Sequence, residues 1–158
     1  MIGFQTGTVA GTINISPTFA TQSGLDLTPA SPRSLSVNIN RSAPQLLSAT
    51  MINRSLKSFS VVLTGFSTTR SLKTLTFTLS TNDSRFTGTT VTTNVEPAAT
   101  SWFQSTQSAA LGGLFSATVP FNLNGGSSTE DLVQLIQAIS VTATNDVGTS
   151  TAITVPLQ

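Results

Sequence analysis

Apolar and hydroxyl side chains alternate along most of this chain with the two-residue period of a β-strand. In the segment 74–80, Leu75, Phe77 and Leu79 alternate with threonines and a serine. Because successive side chains of a strand point to opposite faces of the sheet, one face of this segment would be buried and the other solvated. The pattern is typical of an antiparallel sheet with one face against a hydrophobic core.

The same alternation recurs along the sequence and predicts further strands. Pro120 falls at an outward position of one of them, so we expect that strand at the edge of its sheet, where a missing N–H is tolerated. The segment 145–148 reads as a turn between the last two strands and predicts a hairpin. The inward positions of the predicted strands are Val9, Gly11, Ile13 and Ile15; Leu35, Val37 and Ile39; Phe59, Val61 and Leu63; Val91, Thr93 and Val95; Phe115, Ala117, Val119, Phe121 and Leu123; Ile139, Val141 and Ala143; and Ile153 and Val155.

The composition supports a folded β domain. About a third of the residues are Ser or Thr, hydrophobic residues make up 38%, and charged residues only 8%. Thr favours strands and Ser favours turns, whereas a disordered chain needs low hydrophobicity and high net charge, neither of which holds here. We therefore predict an all-β fold, an antiparallel β-sandwich of roughly seven to nine strands.

One segment departs from the two-residue period. Ser127 precedes Glu130 by three residues, which is the spacing of a helix capping box. The apolar residues that follow recur at helical spacing, and together these signals predict one short helix over residues 129–137. Those apolar residues are Leu132, Leu135, Ile136 and Ile139.

The N-terminal part of the chain is expected to differ from the rest. The segment 16–34 holds three prolines among many Ser and Thr residues and is predicted to be a long loop. Residues 1–43 would then form a β-hairpin extension, packed on the main sandwich or forming the end of a preceding module. Residues 44–158 would form the sandwich itself.

Three stretches of the sandwich region carry a family resemblance: VVLTGFSTTR at 61–70, SWFQS at 101–105 and VTATNDVGTS at 141–150. They resemble bacterial immunoglobulin-like or fibronectin-III-like modules, which are repeated in large secreted or surface proteins. The resemblance covers about two thirds of the chain, and it implies an immunoglobulin-like sandwich with no catalytic residues. The sequence departs from the family pattern in the helix predicted over 129–137. It also lacks the Cys–Trp–Cys core and tyrosine corner of true immunoglobulin domains, since it has no Cys and no Tyr.

The residues of common catalytic and metal sites are missing from the sequence. There is no His and no Cys, which excludes Ser-His-Asp and Cys-His arrangements and thiolate metal sites. The adjacent acids Glu130 and Asp131 are expected to complement the dipole of the predicted helix, not to act as a catalytic carboxylate pair. We therefore expect neither enzyme activity nor a cofactor.

Four residues are candidates for ligand binding. Asp83 and Asp146 lie in oxygen-rich turns and are candidate calcium ligands, although Asp is also an ordinary turn former and no EF-hand pattern is present. Trp102 and Phe103 are the candidate aromatic platform for a sugar. The competing interpretation is that the single Trp belongs to the core, because it buries a large area.

These observations favour a non-catalytic structural or adhesive module, a spacer or protein-interaction unit, of a larger extracellular or cell-surface protein. The alternative is a carbohydrate-binding module attached to a secreted enzyme. Expected partners are neighbouring modules of the same polypeptide, other surface proteins or, under the alternative, a polysaccharide. Sparse basic residues and a net charge of +1 do not favour nucleic acid. No apolar stretch approaches the roughly 18–20 residues of a membrane span, and we expect the signal sequence to lie outside this segment.

Overall fold

A computed structural model of the chain describes residues 6–87 and 89–157. Within them, nine strands form three antiparallel sheets, joined by two short α-helices and one turn of 3-10 helix. The predicted all-β, antiparallel sandwich is therefore confirmed. None of the described helices is long and apolar enough to cross a membrane. The elements in chain order are β1 (Gly11–Ile15), β2 (Leu35–Ile39), β3 (Gln45–Ile52), β4 (Ser58–Phe66), β5 (Thr74–Thr81), β6 (Thr90–Asn94), α1 (Glu96–Gln104), α2 (Thr106–Leu111), β7 (Leu114–Asn122), the 3-10 turn (Val133–Leu135), β8 (Ile136–Thr144) and β9 (Ile153–Val155).

Two of the sheets form the sandwich. β3, β4 and β7 make a three-stranded sheet with β4 in the centre, and β6, β5, β8 and β9 make a four-stranded sheet in that order. At one side of the sandwich, the edge strands β3 and β9 lie next to each other. At the other side, the chain crosses from β6 to β7 through α1 and α2. The helical crossover therefore covers the open side of the sandwich.

The core lies between these sheets and contains the predicted inward residues of β4, β5 and β8, together with residues such as Met51, Leu72 and Phe103 for which no inward strand position was predicted, whereas the predicted inward Val91 is 39% exposed. The ring centroid of Phe121 lies 4.9 Å from that of Phe59 on the same sheet, in a stacked geometry. It also lies 4.9 Å from that of Phe77 on the opposite sheet, in an edge-to-face geometry. Among the other buried residues of the central strands, those predicted to face inward are Val61, Leu63, Leu75, Leu79, Ile139, Val141 and Ala143, and Ile136 of β8 is buried in addition.

Hydroxyl side chains cover the outward face of the four-stranded sheet. Thr76 pairs with Thr92 on β6 and with Thr142 on β8, and the hydroxyls of Thr76 and Thr92 are 3.0 Å apart. None of the described strands contains a charged residue. In the described part of the chain, charges are therefore confined to loops, turns and the first turn of α1.

Two local predictions are confirmed by the sheet topology. β7, which contains Pro120, is an edge strand of the three-stranded sheet. β8 and β9 form an antiparallel hairpin around the turn at 145–148. Proline and the turn-forming residues constrain the backbone directly, so the sequence predicts the local structure correctly at these two positions.

The prediction of a helix over residues 129–137 is wrong. The segment contains only the 3-10 turn Val133–Leu135, and β8 begins at Ile136. Ile136 and Ile139, which were expected on one helix face, are buried instead in β8, where they pair with β5. The Glu130 carboxylate, expected in a capping box, pairs with the Arg85 guanidinium at 2.7 Å. Tertiary pairing therefore overrides the local helical spacing.

Helices occur instead at 96–111, a segment in which the two-residue alternation predicts no strand. α1 begins with Glu96 and Pro97, and Pro suits a first helical turn because the N–H that it lacks would be unpaired there. The Asn94 Oδ1 accepts a hydrogen bond of 2.9 Å from the Glu96 N–H. The alternation also does not predict β3. Its exposed Leu47 weakens the difference between the apolar and polar faces of the strand.

β1 and β2 pair with each other as a separate two-stranded sheet. Hydrogen bonds join this hairpin to the sandwich at its base, where the Ala10 N–H donates to the Thr68 carbonyl at 2.7 Å. The Thr8 hydroxyl accepts from the Gly113 N–H at 2.9 Å. Leu35, on the apolar face of the hairpin, is 56% exposed. The first five residues of the predicted extension lie outside the described residues, and what covers its apolar face stays a prediction.

The Phe77→Ala substitution should lower the free energy of unfolding by about 3–5 kcal/mol, because it empties a buried position at the contact between the sheets. The matched control is Thr76→Ala on the outward face, which should cost well under about 1 kcal/mol. Urea denaturation of the two variants measures both costs. Equal costs would contradict the register of β5, because a shift of one residue exchanges its two faces.

Candidate functional site

The open side of the sandwich contains an apolar cavity of about 390 Å³. β6 and β7 form its two sides, α1 covers it, and residues of the core form its floor. β6 and β7 are edge strands of different sheets, and the cavity lies between them where the helical crossover begins. The main apolar side chains around the cavity are those of Leu75, Val95, Ala99, Trp102, Phe103 and Phe115.

The inward face of β7 indicates that the core does not fill this gap. Phe115 and Phe121 are buried, whereas Ala117 and Val119, which lie between them on the same face, are only half-buried. Protein interiors are close-packed, so a strand lying against a complete core would bury all four side chains. The cavity therefore presents apolar wall to solvent.

Trp102 and Phe103, the predicted ligand-binding pair, both line this cavity. Phe103 is buried, and Trp102 is half-buried with its Nε1–H donating to the Leu114 carbonyl at 2.9 Å. That hydrogen bond fixes the indole against the start of β7, so its ring serves as a wall of the cavity and not as an open platform. Binding of a ligand by these two residues stays a prediction.

Arg70 holds the two helices in place from the β4–β5 turn. Its guanidinium donates hydrogen bonds to the carbonyls of Phe103, at the end of α1, and of Gly112, after α2, the latter at 2.6 Å. It also donates to the Ser108 hydroxyl at 2.9 Å and lies 5.6 Å from the Phe103 ring centroid. A cation suits this position, because carbonyls at helix C-termini are unpaired and carry partial negative charge. Nothing in the local sequence distinguishes Arg70 from an ordinary turn residue.

Asn145 joins three segments at one end of the sandwich. Its Oδ1 accepts from the N–H groups of Val147 and Gly148 at 2.8 and 3.1 Å, within the β8–β9 turn. Its Nδ2 donates to the Ser42 carbonyl at 2.9 Å and to the Thr69 hydroxyl at 3.0 Å. Asn145 is 4% exposed, so these bonds are largely shielded from water. We call this end the N-terminal pole, because the chain enters β3 here.

The opposite end, the C-terminal pole, is held by ion pairs and by bonds to backbone. The Arg54 Nη2 lies 2.6 Å from the Asp131 Oδ2. The Lys57 Nζ donates to the Gly125 carbonyl at 2.6 Å, which fixes the loop after β7. Both poles are thus built from charged or polar side chains that bridge separate turns.

The candidate calcium ligands lie at different poles. Asp83 follows β5 at the C-terminal pole, with its carboxylate 2.6 Å from the Arg85 guanidinium. Asp146 lies in the β8–β9 turn at the N-terminal pole, 2.6 Å from the Lys73 Nζ. In the part of the chain that the structure describes, no group of three or more acidic side chains could hold a metal ion. The structure does not bring the two residues together, and calcium binding stays a prediction.

Comparison of the chain with protein-family models and with curated proteins finds no match.

The Asn145→Ala substitution should lower the free energy of unfolding by roughly 2–3 kcal/mol, because it removes several hydrogen bonds of a buried side chain that join separate segments. The matched control is Asn122→Ala, an exposed residue at the end of β7, which should cost less than about 0.5 kcal/mol. Chemical denaturation measures both. Similar costs for the two variants would mean that the N-terminal pole does not need the Asn145 amide.

Stability should fall in acid as two carboxylates are protonated. Hydrogen bonds from the Arg85 side chain and backbone lower the pKa of Asp83 from 3.8 to about 2, and Lys73 likewise lowers the pKa of Asp146. Because these pKa values are lower in the folded chain, both groups stabilise it above about pH 4. The contribution of Asp83 is lost as pH falls towards about 2, and that of Asp146 is lost as pH falls below the ordinary pKa of an aspartate. Thermal melts should show a decreasing Tm over this range. The Asp83→Asn variant should show a smaller decrease, and an unchanged pH profile would contradict the role of this pair.

Proposed function

We propose that this chain is a non-catalytic structural or adhesive module, a spacer or interaction unit, of a larger extracellular protein. The observation that carries the proposal is the path of the chain, which enters the sandwich at one pole and leaves it at the other. β3 begins at Gln45, paired with Phe66 at the N-terminal pole. Beyond β9, Leu157 lies in a surface depression with Arg54 and Gln134 at the C-terminal pole. Such a path suits modules joined in series.

The order of the strands supports an immunoglobulin-like assignment. If β3 to β9 are lettered A to G, the two sheets have the orders A-B-E and D-C-F-G. The constant-type immunoglobulin sandwich has the orders A-B-E-D and C-F-G. The two arrangements differ only in the fourth strand, which here pairs with β5 and not with β7. The same sandwich architecture recurs in cell-surface domains, which is the class that we propose for this chain.

The distribution of ionisable groups supports a non-catalytic role. Arg54, Lys73 and Arg85 are in ion pairs with acidic side chains at the poles. Among the described residues, no charged side chain lines the cavity on the open side of the sandwich. Acid–base catalysis needs a titratable group within hydrogen-bond reach of the substrate, so this apolar cavity supplies a binding surface without such chemistry.

Mechanical unfolding tests the spacer role, and the absence of Cys from the sequence allows the points of attachment to be chosen freely. Pulling through Cys introduced at Ala43 and Leu157 loads the β3–β4 and β8–β9 ladders along their strands, so that many hydrogen bonds must break together. Pulling through Cys introduced at Lys73 and Asp146 opens the β5–β8 ladder from one end, pair by pair. The first geometry should require the higher force. An equal or lower force would contradict a mechanical role.

A glycan array separates the proposal from a carbohydrate-binding function. We expect no saturable binding to any glycan that depends on Trp102. Robust binding by the parent chain, lost in Trp102→Ala with the circular dichroism spectrum and Tm retained, would overturn the proposal.

A further inference from the structure

We propose that the cavity between β6 and β7 is a binding site for one small, uncharged molecule with an apolar body and a single hydrogen-bonding group. This inference goes beyond the structural role, since a spacer does not require a ligand. The cavity volume of about 390 Å³ lies within the usual range for small-molecule sites, about 300–1,000 Å³. The half-buried Ala117 and Val119 give the apolar body of such a molecule a surface to cover.

The lining of the cavity selects against ions. None of the described residues around it is Lys, Arg, Asp or Glu. A charged ligand would lose its hydration without gaining an ionic partner, which is unfavourable in an apolar environment. A neutral ligand avoids this cost and gains from the burial of apolar surface.

Thr93 supplies a polar group on the inner wall of the cavity. It pairs with the buried Leu75, so its side chain lies on the inward face of β6, and it lines the cavity. A hydroxyl both donates and accepts, so Thr93 suits an alcohol, an ether or a carbonyl. The single hydrogen-bonding group of the proposed ligand therefore has a partner at this position.

Three other polar residues, Asn94, Ser116 and Thr118, also line the cavity. Asn94 follows the inward Thr93 on β6, and the other two flank the inward Ala117 on β7. Because successive side chains of a strand alternate between its faces, these three belong to the outward faces of the sheets. Their side chains therefore lie at the rim of the cavity, and Thr93 supplies the hydroxyl group of the inner wall.

The structure favours a small molecule over an added β-strand from another chain. A free strand edge such as that of β7 can pair with a further strand. Here Pro120 lies at the rim and has no N–H to donate, which removes one bond of such a ladder. α1 also covers the cavity and is held there by Arg70. The covered space therefore suits a compact ligand better than an added strand.

Hydrogen bonds within the protein hold the residues that form the walls of the cavity. Trp102 is bound through its Nε1–H to the Leu114 carbonyl, and Arg70 holds the carbonyl ends of both helices. A wall that is already ordered loses little conformational entropy on binding.

Fluorescence of Trp102 tests the proposal directly, since it is the only Trp in the chain and lines the cavity. The probes are 1-octanol and, as a matched charged control, octanoate. Octanol should change the emission saturably and raise Tm. Octanoate should bind at least about tenfold more weakly, because its charge finds no partner. A linear, non-saturating response to octanol, or equal binding of the two probes, would overturn the proposal.

Substitutions locate the site. Ala117→Leu should fill the cavity and abolish the octanol response, whereas Ala138→Leu, on the outward face of the four-stranded sheet, should leave it unchanged. Thr93→Val should weaken octanol binding by about two- to tenfold, the usual range for one hydrogen bond. If Ala117→Leu does not fold, Ala98→Phe on α1 provides a second blocked variant. Unchanged octanol binding in a folded blocked variant would overturn the proposal.

Discussion

The sandwich depends on the contact in which Phe121 packs edge-to-face against Phe77 of the opposite sheet while stacking on Phe59 of its own. Alternation makes one face of each strand apolar, and packing the two sheets face to face removes these faces from water together. Each fully buried large apolar side chain contributes about 1.5–3 kcal/mol, so this row of residues is the main source of stability. The outward faces are left to hydroxyl groups.

Because the described strands contain no charged residue, the ion pairs between described segments lie in the loops at the ends of the sandwich, as do the hydrogen bonds of the Asn145 amide. Asn145 connects the turns of the N-terminal pole, and the pair Arg54–Asp131 connects loops of the C-terminal pole. Each pole is also where the chain enters or leaves the sandwich. The groups that resist separation of the turns therefore lie where a module in a series would transmit force.

The open side of the sandwich follows from the same topology. β6 and β7 belong to different sheets, so the chain must cross between them, and α1 and α2 make that crossing. Arg70 holds the helices by their carbonyl ends, and the gap beneath α1 stays apolar and partly unfilled. The proposed structural role and the proposed ligand site are compatible in one fold, since the poles and the cavity use different residues.

The order of residue types along the chain is enough to predict most of the strands, their inward faces, the edge position of Pro120 and the final hairpin, because these depend on neighbouring residues and on backbone constraints. The packing of distant segments is what makes 129–137 continue into a strand beside β5 and what sets the helices at 96–111. It also determines that Trp102 and Phe103 line a cavity with Thr93, and that Arg70 anchors the helices over it. Strand pairing and cavity formation join residues far apart in the chain, and the local alternation of residue types does not identify those partners.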